Sequence, residues 1–353
     1  MQNNDGILDN AISSHSTGSS SLTRRGFQKA ALGGLVLICR QARAADFTIK
    51  QYHNQPVEAP LHKRLTQMWA AVEKETRGRV TAVITPLNNN MKDGDPDPLP
   101  MMLRGEIDFF TVAGNNLAGQ VPAYEAQATP YVFRDSAHAL RVCDGELGDY
   151  LREELKAKGL YALPKACFDN GIHQITTTNK PVRTAADLQG MKMRVPGSQL
   201  YHDFFRAYGV TTMTTNINML YDALKSGKAE AQDDPYDVAE LFKLYEVQKY
   251  MNVTEHSWSG FNLLANLKRW QSMPADVQTI IERNAAKYVR LQRADAARSQ
   301  RRLRKELVKK GMVFVESDIA SFRANLSPYY ARWKSAIGSK ATAIIEAQAG
   351  KMA

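Results

Sequence analysis

Residues 190–197 read Gly-Met-Lys-Met-Arg-Val-Pro-Gly, and the fold can be worked out from this stretch. Apolar and basic side chains alternate from Met191 to Val195, which is typical of a short β-strand, and the Pro-Gly pair ends it. Arg194 then stands at a strand end, where open α/β sheets bind ligands, and its planar fork suits a carboxylate. A surface salt bridge explains the same arginine equally well.

Strands and helices alternate along the chain on both sides of this stretch. The patterns at 47–52, 80–84 and 107–112 predict strands, and the apolar spacing at 60–76 predicts a helix. The spacing at 136–158 predicts a second helix. Such alternation predicts an α/β fold with mainly parallel sheets.

One helix is predicted to be unusually long. Residues 274–310 begin with a proline and contain no further Gly or Pro, so a helix of about 55 Å is expected. A chain of 353 residues is long enough for two packed lobes, and one such helix would cross both or project into solvent. The apolar fraction of 44% and charged fraction of 23% are ordinary for a globular protein.

The first 44 residues have the pattern of an export signal. A basic segment at 23–29 precedes a short apolar run at 30–38 and an Ala-Arg-Ala cleavage site ending at Ala44. Its paired arginines, followed by Phe and Lys, predict export by the twin-arginine (Tat) machinery, cleavage near Ala44 and a periplasmic protein. Cleavage would remove five basic and two acidic residues and lower the net charge from +10 to +7.

Two cysteines, Cys143 and Cys167, remain after that cleavage. They would pair in an oxidising compartment if the fold brought them together, or remain as buried thiols. The sequence leaves both alternatives open.

The motifs of common enzyme classes are absent from the sequence. It contains no Gly-rich phosphate loop, no nucleophile elbow, no helical pair of metal-ligating histidines and no cysteine cluster. We therefore expect no enzyme activity, no metal and no cofactor.

His53 and His62 would meet only if folding placed them together. The basic run at 298–305 lies within the long helix and predicts a solvated helix face, with no nucleic acid as partner.

Several short motifs, in a fixed order, carry a resemblance to a known family. They are the segments at 176–182, 187–196, 220–224, 232–235 and 244–250, with looser agreement at 103–108 and 130–133. In order and spacing the chain resembles the DctP-type solute-binding proteins of TRAP (tripartite ATP-independent periplasmic) transporters.

That resemblance implies an architecture and a role. It implies two α/β lobes with hinge strands and one long bracing helix, lobe I comprising 45–168 and 262–298, and lobe II comprising 169–261 and 299–353. It also implies a monomer that captures a small organic acid and delivers it to a TRAP membrane permease.

The resemblance also assigns three ligand-binding residues. Arg194 matches the arginine that binds the ligand carboxylate. Asp234 stands where many members have Asn, which would suit ligand hydroxyls or a neighbouring cation. His173 stands where many members have a second arginine, so the site should hold less positive charge. A monocarboxylate with hydroxyls or an aromatic ring is expected, and a dicarboxylate is disfavoured.

Further candidates follow predicted strands or lie near them. Asn54, Asn89, Asn115 and Asn116 supply polar groups, and Tyr236, Trp258 and Phe261 supply an apolar wall. Two other functions remain open at this point: a cofactor-containing periplasmic enzyme exported by the Tat route, and a ligand-sensing accessory protein of the same fold.

Overall fold

The structure is a computed structural model, and it describes residues 45–91, 97–324 and 326–352. The predicted signal peptide at 1–44, with its cleavage site at Ala44, lies outside the described residues. Among the described residues, no helix combines the length and the apolar character needed to cross a membrane.

The described elements confirm the α/β class. The strands are β1 (Phe47–His53), β2 (Val80–Thr85), β3 (Phe109–Ala113), β4 (Leu160–Thr177), β5 (Lys192–Arg194), β6 (Thr211–Met213), β7 (Ala231–Pro235), β8 (Tyr250–Asn266) and β9 (Val313–Glu316). The helices are α1 (Pro60–Glu75), α2 (Pro98–Arg104), α3 (Ser136–Asp144), α4 (Glu146–Lys156), α5 (Gln199–Arg206), α6 (Leu220–Lys225), α7 (Tyr236–Leu241), α8 (Leu267–Gln271), α9 (Ala275–Lys309), α10 (Ile319–Arg323), α11 (Ser327–Ile337) and α12 (Ser339–Ala349).

The strands form one mixed sheet in the order β2-β1-β3-β8-β4-β7-β5-β6, with β9 paired to β8. The two long strands, β4 and β8, run antiparallel from the Leu160–Asn266 pair to the Thr177–Tyr250 pair. β3 joins one end of this ribbon, and β7 joins the other. The strands β2, β1 and β3 form one wing of the sheet, and β7, β5 and β6 form the other. Each wing contains parallel strand pairs, as expected, and the antiparallel ribbon connects the two wings. This is the two-lobed arrangement.

The ribbon is irregular where the wings meet. Its register shifts between Asp169 and Gly171 and again between His173 and Ile175. The first shift leaves Asn170 without a partner, and the next residue, Gly171, has a φ of 112°, which residues with a side chain rarely adopt. Bulges re-aim neighbouring side chains, and both irregularities flank His173.

The long helix is confirmed and spans both wings. α9 has 35 residues, about 52 Å. Its first half buries Ile281 and Val289 with the core of β1 and α1, whereas Leu307 is buried with Leu220 and Met251 of the other wing. Between them Gln292 binds both the backbone N–H and the carbonyl of Asp169 on β4, each within 2.9 Å.

The predicted helix at 136–158 is instead two helices, α3 and α4, separated at Gly145. The chain turns there because Gly148 packs against the carbonyl of Cys143, at a distance where no side chain fits. Apolar spacing continues across the break, so the pattern alone predicted one helix.

Cys143 and Cys167 are unpaired and buried. Burial raises the pKa of both thiols, that of Cys167 to about 12. Both therefore stay protonated and unreactive at neutral pH.

Candidate ligand-binding site

Arg194 lines a cavity of about 90 Å³ between the two wings of the sheet. The short strand β5 positions it: Met193 and Val195 are completely buried in the core, while Lys192 is exposed. Alternation turns Arg194 away from the core, and Pro196, also in the cavity lining, follows where the strand ends. The side chain is only 4% exposed, so a buried guanidinium faces this cavity.

Arg194 forms an ion pair with Asp234 inside the cavity. Its Nη1 donates to Asp234 Oδ2 at 2.8 Å, and Asp234 is 6% exposed. Its Nε and Nη2 donate to the carbonyl of Thr215 at 3.4 and 3.1 Å. A guanidinium has five N–H donors, so these contacts among the described residues leave one on each terminal nitrogen for a ligand. Two such donors match the two oxygens of a carboxylate.

Burial raises the pKa of Asp234 to about 6, although the nearby Arg194 and His173 act in the opposite direction. The carboxylate is thus partly protonated in mildly acidic solution. It stays ionised at neutral pH only because a cation lies beside it.

His173 is held by a buried chain of hydrogen bonds. Its Nδ1 lies 2.7 Å from Asp233 Oδ1, and its Nε2 lies 2.8 Å from the hydroxyl of Ser259 in the cavity lining. His256 Nε2 lies 2.9 Å from the same Asp233 oxygen. Because an ionised carboxylate only accepts, both histidines donate to Asp233.

The charges in this chain follow from their contacts. Burial opposes charge on all three side chains, but the two imidazoles hold the pKa of Asp233 well below its usual range. Burial also opposes protonation of His173, yet Asp233 outweighs it and raises the pKa of His173. Burial lowers the pKa of His256. These pKa directions favour a protonated His173 paired with an ionised Asp233, and a neutral His256.

Within the described part of the chain, His173, Asp233 and His256 are the only group of His, Cys, Asp or Glu side chains close enough together to hold a metal ion. One nitrogen of each imidazole lies at hydrogen-bond distance from the same oxygen of Asp233. This is the geometry of a hydrogen-bonded network in which each histidine donates a hydrogen bond to the carboxylate. His53 and His62, whose proximity the sequence left open, are also brought together, with their nitrogens 3.0 Å apart.

Most of the predicted site residues meet in this one cavity. Its lining includes Arg194, His173, Asp234, Asn54, Asn115, Asn116 and Phe261. Three other candidates lie elsewhere. Asn89 is exposed on a short 3₁₀ turn, and Tyr236 packs against Phe314. Trp258 donates to Asp169 on the opposite face of β8, because alternation along the strand turns Ser259, not Trp258, into the cavity.

Other lining residues were missed at the sequence level. Thr214, Thr215 and Asn216 follow β6, whose end lies beside that of β5, so the rule that selected Arg194 would have found them. Asn170 and Ser259 lie within β4 and β8 and bind each other at 2.8 Å. No local pattern marks these two, because their meeting depends on the register of the long strands.

The cavity therefore combines one guanidinium with many neutral polar groups. Amides come from five asparagines and Gln55, hydroxyls from Ser259 and two threonines, and apolar surface from Phe261 and Val238. Such a site can bind an anion and hydrogen-bond several further oxygens of it.

Comparison with protein families gives a match over most of the chain. The model of the DctP family, described as bacterial extracellular solute-binding protein, family 7, matches residues 52–336. The 2,3-diketo-L-gulonate-binding periplasmic protein YiaO of Escherichia coli K12 is 31% identical over 199 residues, which are 56% of this chain and 60% of that protein. The solute-binding protein RD1_1052 of Roseobacter denitrificans is 29% identical over 283 residues, 80% of this chain and 86% of that one.

Solved structures resemble the whole described fold. The crystal structure of RD1_1052 with bound L-galactonate has a TM-score of 0.77 and 26% identity, and covers 87% of this chain and 99% of that one. A TRAP periplasmic solute-binding protein from Polaromonas sp. JS666, bound to D-erythronate, has a TM-score of 0.80 and 26% identity, covering 86% and 99%.

Proposed function

The chain belongs to family 7 of the bacterial extracellular solute-binding proteins, the DctP family, and from this premise we propose that it captures a polyhydroxylated monocarboxylate and delivers it to a TRAP membrane permease. The observation that carries the proposal is the buried Arg194 guanidinium, with two N–H donors left for an anion.

The charge of the cavity favours one carboxylate on the ligand. Arg194 is the only arginine or lysine in the described lining, and Asp233 already neutralises His173. A second ligand carboxylate would lie in a small buried cavity that already contains Asp234, and like charges there repel. A dicarboxylate is therefore disfavoured.

The neutral lining favours hydroxyl groups over an aromatic ring. Amide and hydroxyl side chains outnumber the apolar ones in the cavity, and Phe261 is the only Phe, Tyr or Trp among the described lining residues. The acids bound in the two similar crystal structures, L-galactonate and D-erythronate, are hydroxylated monocarboxylates. A sugar acid of this kind fits both the charge and the polarity of the site.

The compartment and the lobes belong to the same proposal. The protein would leave the cytoplasm by the Tat route, lose its leader near Ala44 and act in the periplasm as a monomer. Lobe I (45–168 and 262–298) and lobe II (169–261 and 299–353) would close over the ligand and exclude water, which strengthens the ion pair with Arg194. The role is binding, without catalysis.

A thermal-shift panel of L-galactonate, D-erythronate, succinate and benzoate tests the ligand class. We expect the two hydroxylated monocarboxylates to raise the melting temperature and the other two to have little effect. Isothermal titration of Arg194→Ala should then show at least about a tenfold loss of affinity. Arg206→Ala is the matched control, since Arg206 pairs with Asp203 on the exposed end of α5. Stabilisation by benzoate or succinate alone would contradict the proposed class.

A further inference from the structure

We propose that the site takes up one proton with each carboxylate that it binds, and that Asp234 is the group that receives it. This inference rests on the proposed function, because it requires the cavity to bind a carboxylate anion. It concerns a property of Asp234 that anchoring by Arg194 does not by itself require.

The anion anchor already pairs with a carboxylate of the protein itself. Arg194 and Asp234 are 2.8 Å apart, both line the cavity, and both are almost completely buried. A bound carboxylate would therefore make two carboxylates facing one guanidinium.

The charges that surround Asp234 compensate one another. Arg194 faces it from β5 as a cation, and His173 faces it from β4 with a pKa that Asp233 raises, which favours the positive imidazolium. Asp233, its neighbour on β7, is negative, and Asp234 makes the second negative charge. With His173 protonated, these four charges sum to zero.

The other titratable groups near Asp234 lie outside the cavity lining. Tyr201 on α5 stacks on His173, and burial raises the pKa of its hydroxyl far above neutrality. His256 on β8 lies behind Asp233 and is neutral. Asp237 on α7 is directed to Ser299 and Gln300 of α9.

A bound anion would leave this buried cluster with one uncompensated negative charge. Burying such a charge is unfavourable, and a buried carboxylate removes it by binding a proton. Asp234 can do so most easily, because burial already raises its pKa to about 6. Asp233 accepts from two imidazoles that hold its own pKa low, and the raised pKa of His173 favours a ring that already holds its second proton.

Protonation also changes what Asp234 can contribute. As an acid it keeps an oxygen that accepts from Arg194 and gains an O–H that can donate to a ligand oxygen. Affinity for a monocarboxylate should accordingly fall as the pH rises above about 6, by up to about tenfold per pH unit for one coupled proton.

Proton uptake can be measured directly by titrating L-galactonate calorimetrically near pH 7 in two buffers of different ionisation enthalpy. The wild type should take up close to one proton per ligand, and Asp234→Asn, which keeps a side chain of the same shape, should take up far less. Binding without proton uptake by the wild type would overturn the inference. Equal uptake by Asp234→Asn would also overturn it, because it would place the proton on another group such as His173.

If neither L-galactonate nor D-erythronate binds the wild type, the proposed ligand class fails, and a measurement on the protein without added ligand decides the inference. The carboxyl ¹³C resonance of Asp234, assigned by its loss in Asp234→Asn, should titrate near pH 6. A midpoint below about 4, the value of an ordinary aspartate, would overturn the inference without any ligand.

Discussion

At the residue scale, Arg194 and Asp234 form a buried ion pair. Substituting either residue changes the environment of the other, and the effect on stability and binding depends on which partner is left behind. Arg194 binds both the Asp234 carboxylate and the carbonyl of Thr215. Removing the arginine leaves a buried carboxylate without its cation, whereas replacing Asp234 by Asn leaves an amide that can still accept a hydrogen bond. The informative substitutions at Arg194 are therefore those that keep the charge.

Arg194→Lys should fold but bind the ligand weakly. Lysine keeps the positive charge beside Asp234 and cannot form two parallel hydrogen bonds with a carboxylate. We expect about a tenfold or greater loss of affinity in calorimetric titration, with a melting temperature closer to that of the wild type than Arg194→Ala shows. Affinity equal to that of the wild type would show that the fork of the guanidinium is not used.

Asp234→Asn should alter the pH dependence of stability. The pKa of Asp234 is raised from 3.8 to about 6 in the folded protein, so its favourable contribution is present below about pH 4 and is lost as the pH rises through 6. Between pH 4 and 7 the wild type should lose roughly 2 to 3 kcal/mol of unfolding free energy relative to Asp234→Asn. Urea unfolding at both pH values measures this, and Asp222→Asn, on the exposed side of α6, should follow the wild type. If the unfolding free energies of Asp234→Asn and of the wild type changed equally between the two pH values, the expectation would be contradicted.

At the element scale, the break between α3 and α4 is set by close backbone packing at Gly148. A Cβ there would lie 1.8 Å from the carbonyl oxygen of Cys143, so the two helices would have to separate. The break therefore depends on the absence of a side chain at this one position.

Gly148→Ala should lower the unfolding free energy by about 1 to 3 kcal/mol, because added volume in a packed region forces the backbone to shift. Gly119→Ala is the matched control, since a Cβ there meets nothing within 4 Å. Chemical denaturation of both variants gives the comparison. Equal stability of the two variants would show that α3 and α4 can move apart without cost.

How far the sequence predicts these elements depends on the range of the contacts involved. α9 was predicted because the absence of Gly and Pro is a local property, and Arg194 because a strand end is local too. The break at Gly145 was missed, since a single glycine does not reveal the packing of Gly148 three residues later. Trp258 was predicted to form part of the apolar wall but points away from the cavity, and Asn170 and Ser259 were not predicted, because β4 and β8 meet in a register that only the whole fold defines.

At the scale of the whole molecule, the two wings share the ribbon of β4 and β8 and the helix α9, so relative motion must bend these elements. The register shifts at 169–171 and 173–175 lie where the wings meet, and Asn170 and His173 there line the cavity. A ligand that contacts both wings would draw them together around this point.

Small-angle X-ray scattering should therefore show a smaller radius of gyration when the ligand that gives the largest thermal shift is added in excess. Arg194→Ala at the same ligand concentration should scatter like the ligand-free wild type, because the anion has lost its anchor. Identical wild-type profiles with and without a saturating ligand would mean that binding occurs without closure.

The pairing of β3 with β8 also has a consequence for synthesis. Phe109 of β3 pairs with Ala265 of β8. The edge of β3 therefore has no partner strand until the ribosome has synthesised most of the chain. Unpaired edges attract other nascent polypeptides, and a chaperone that shields the edge would prevent this. The leader predicted at residues 1–44 would be available to the secretion apparatus long before the passenger behind it has acquired its tertiary structure.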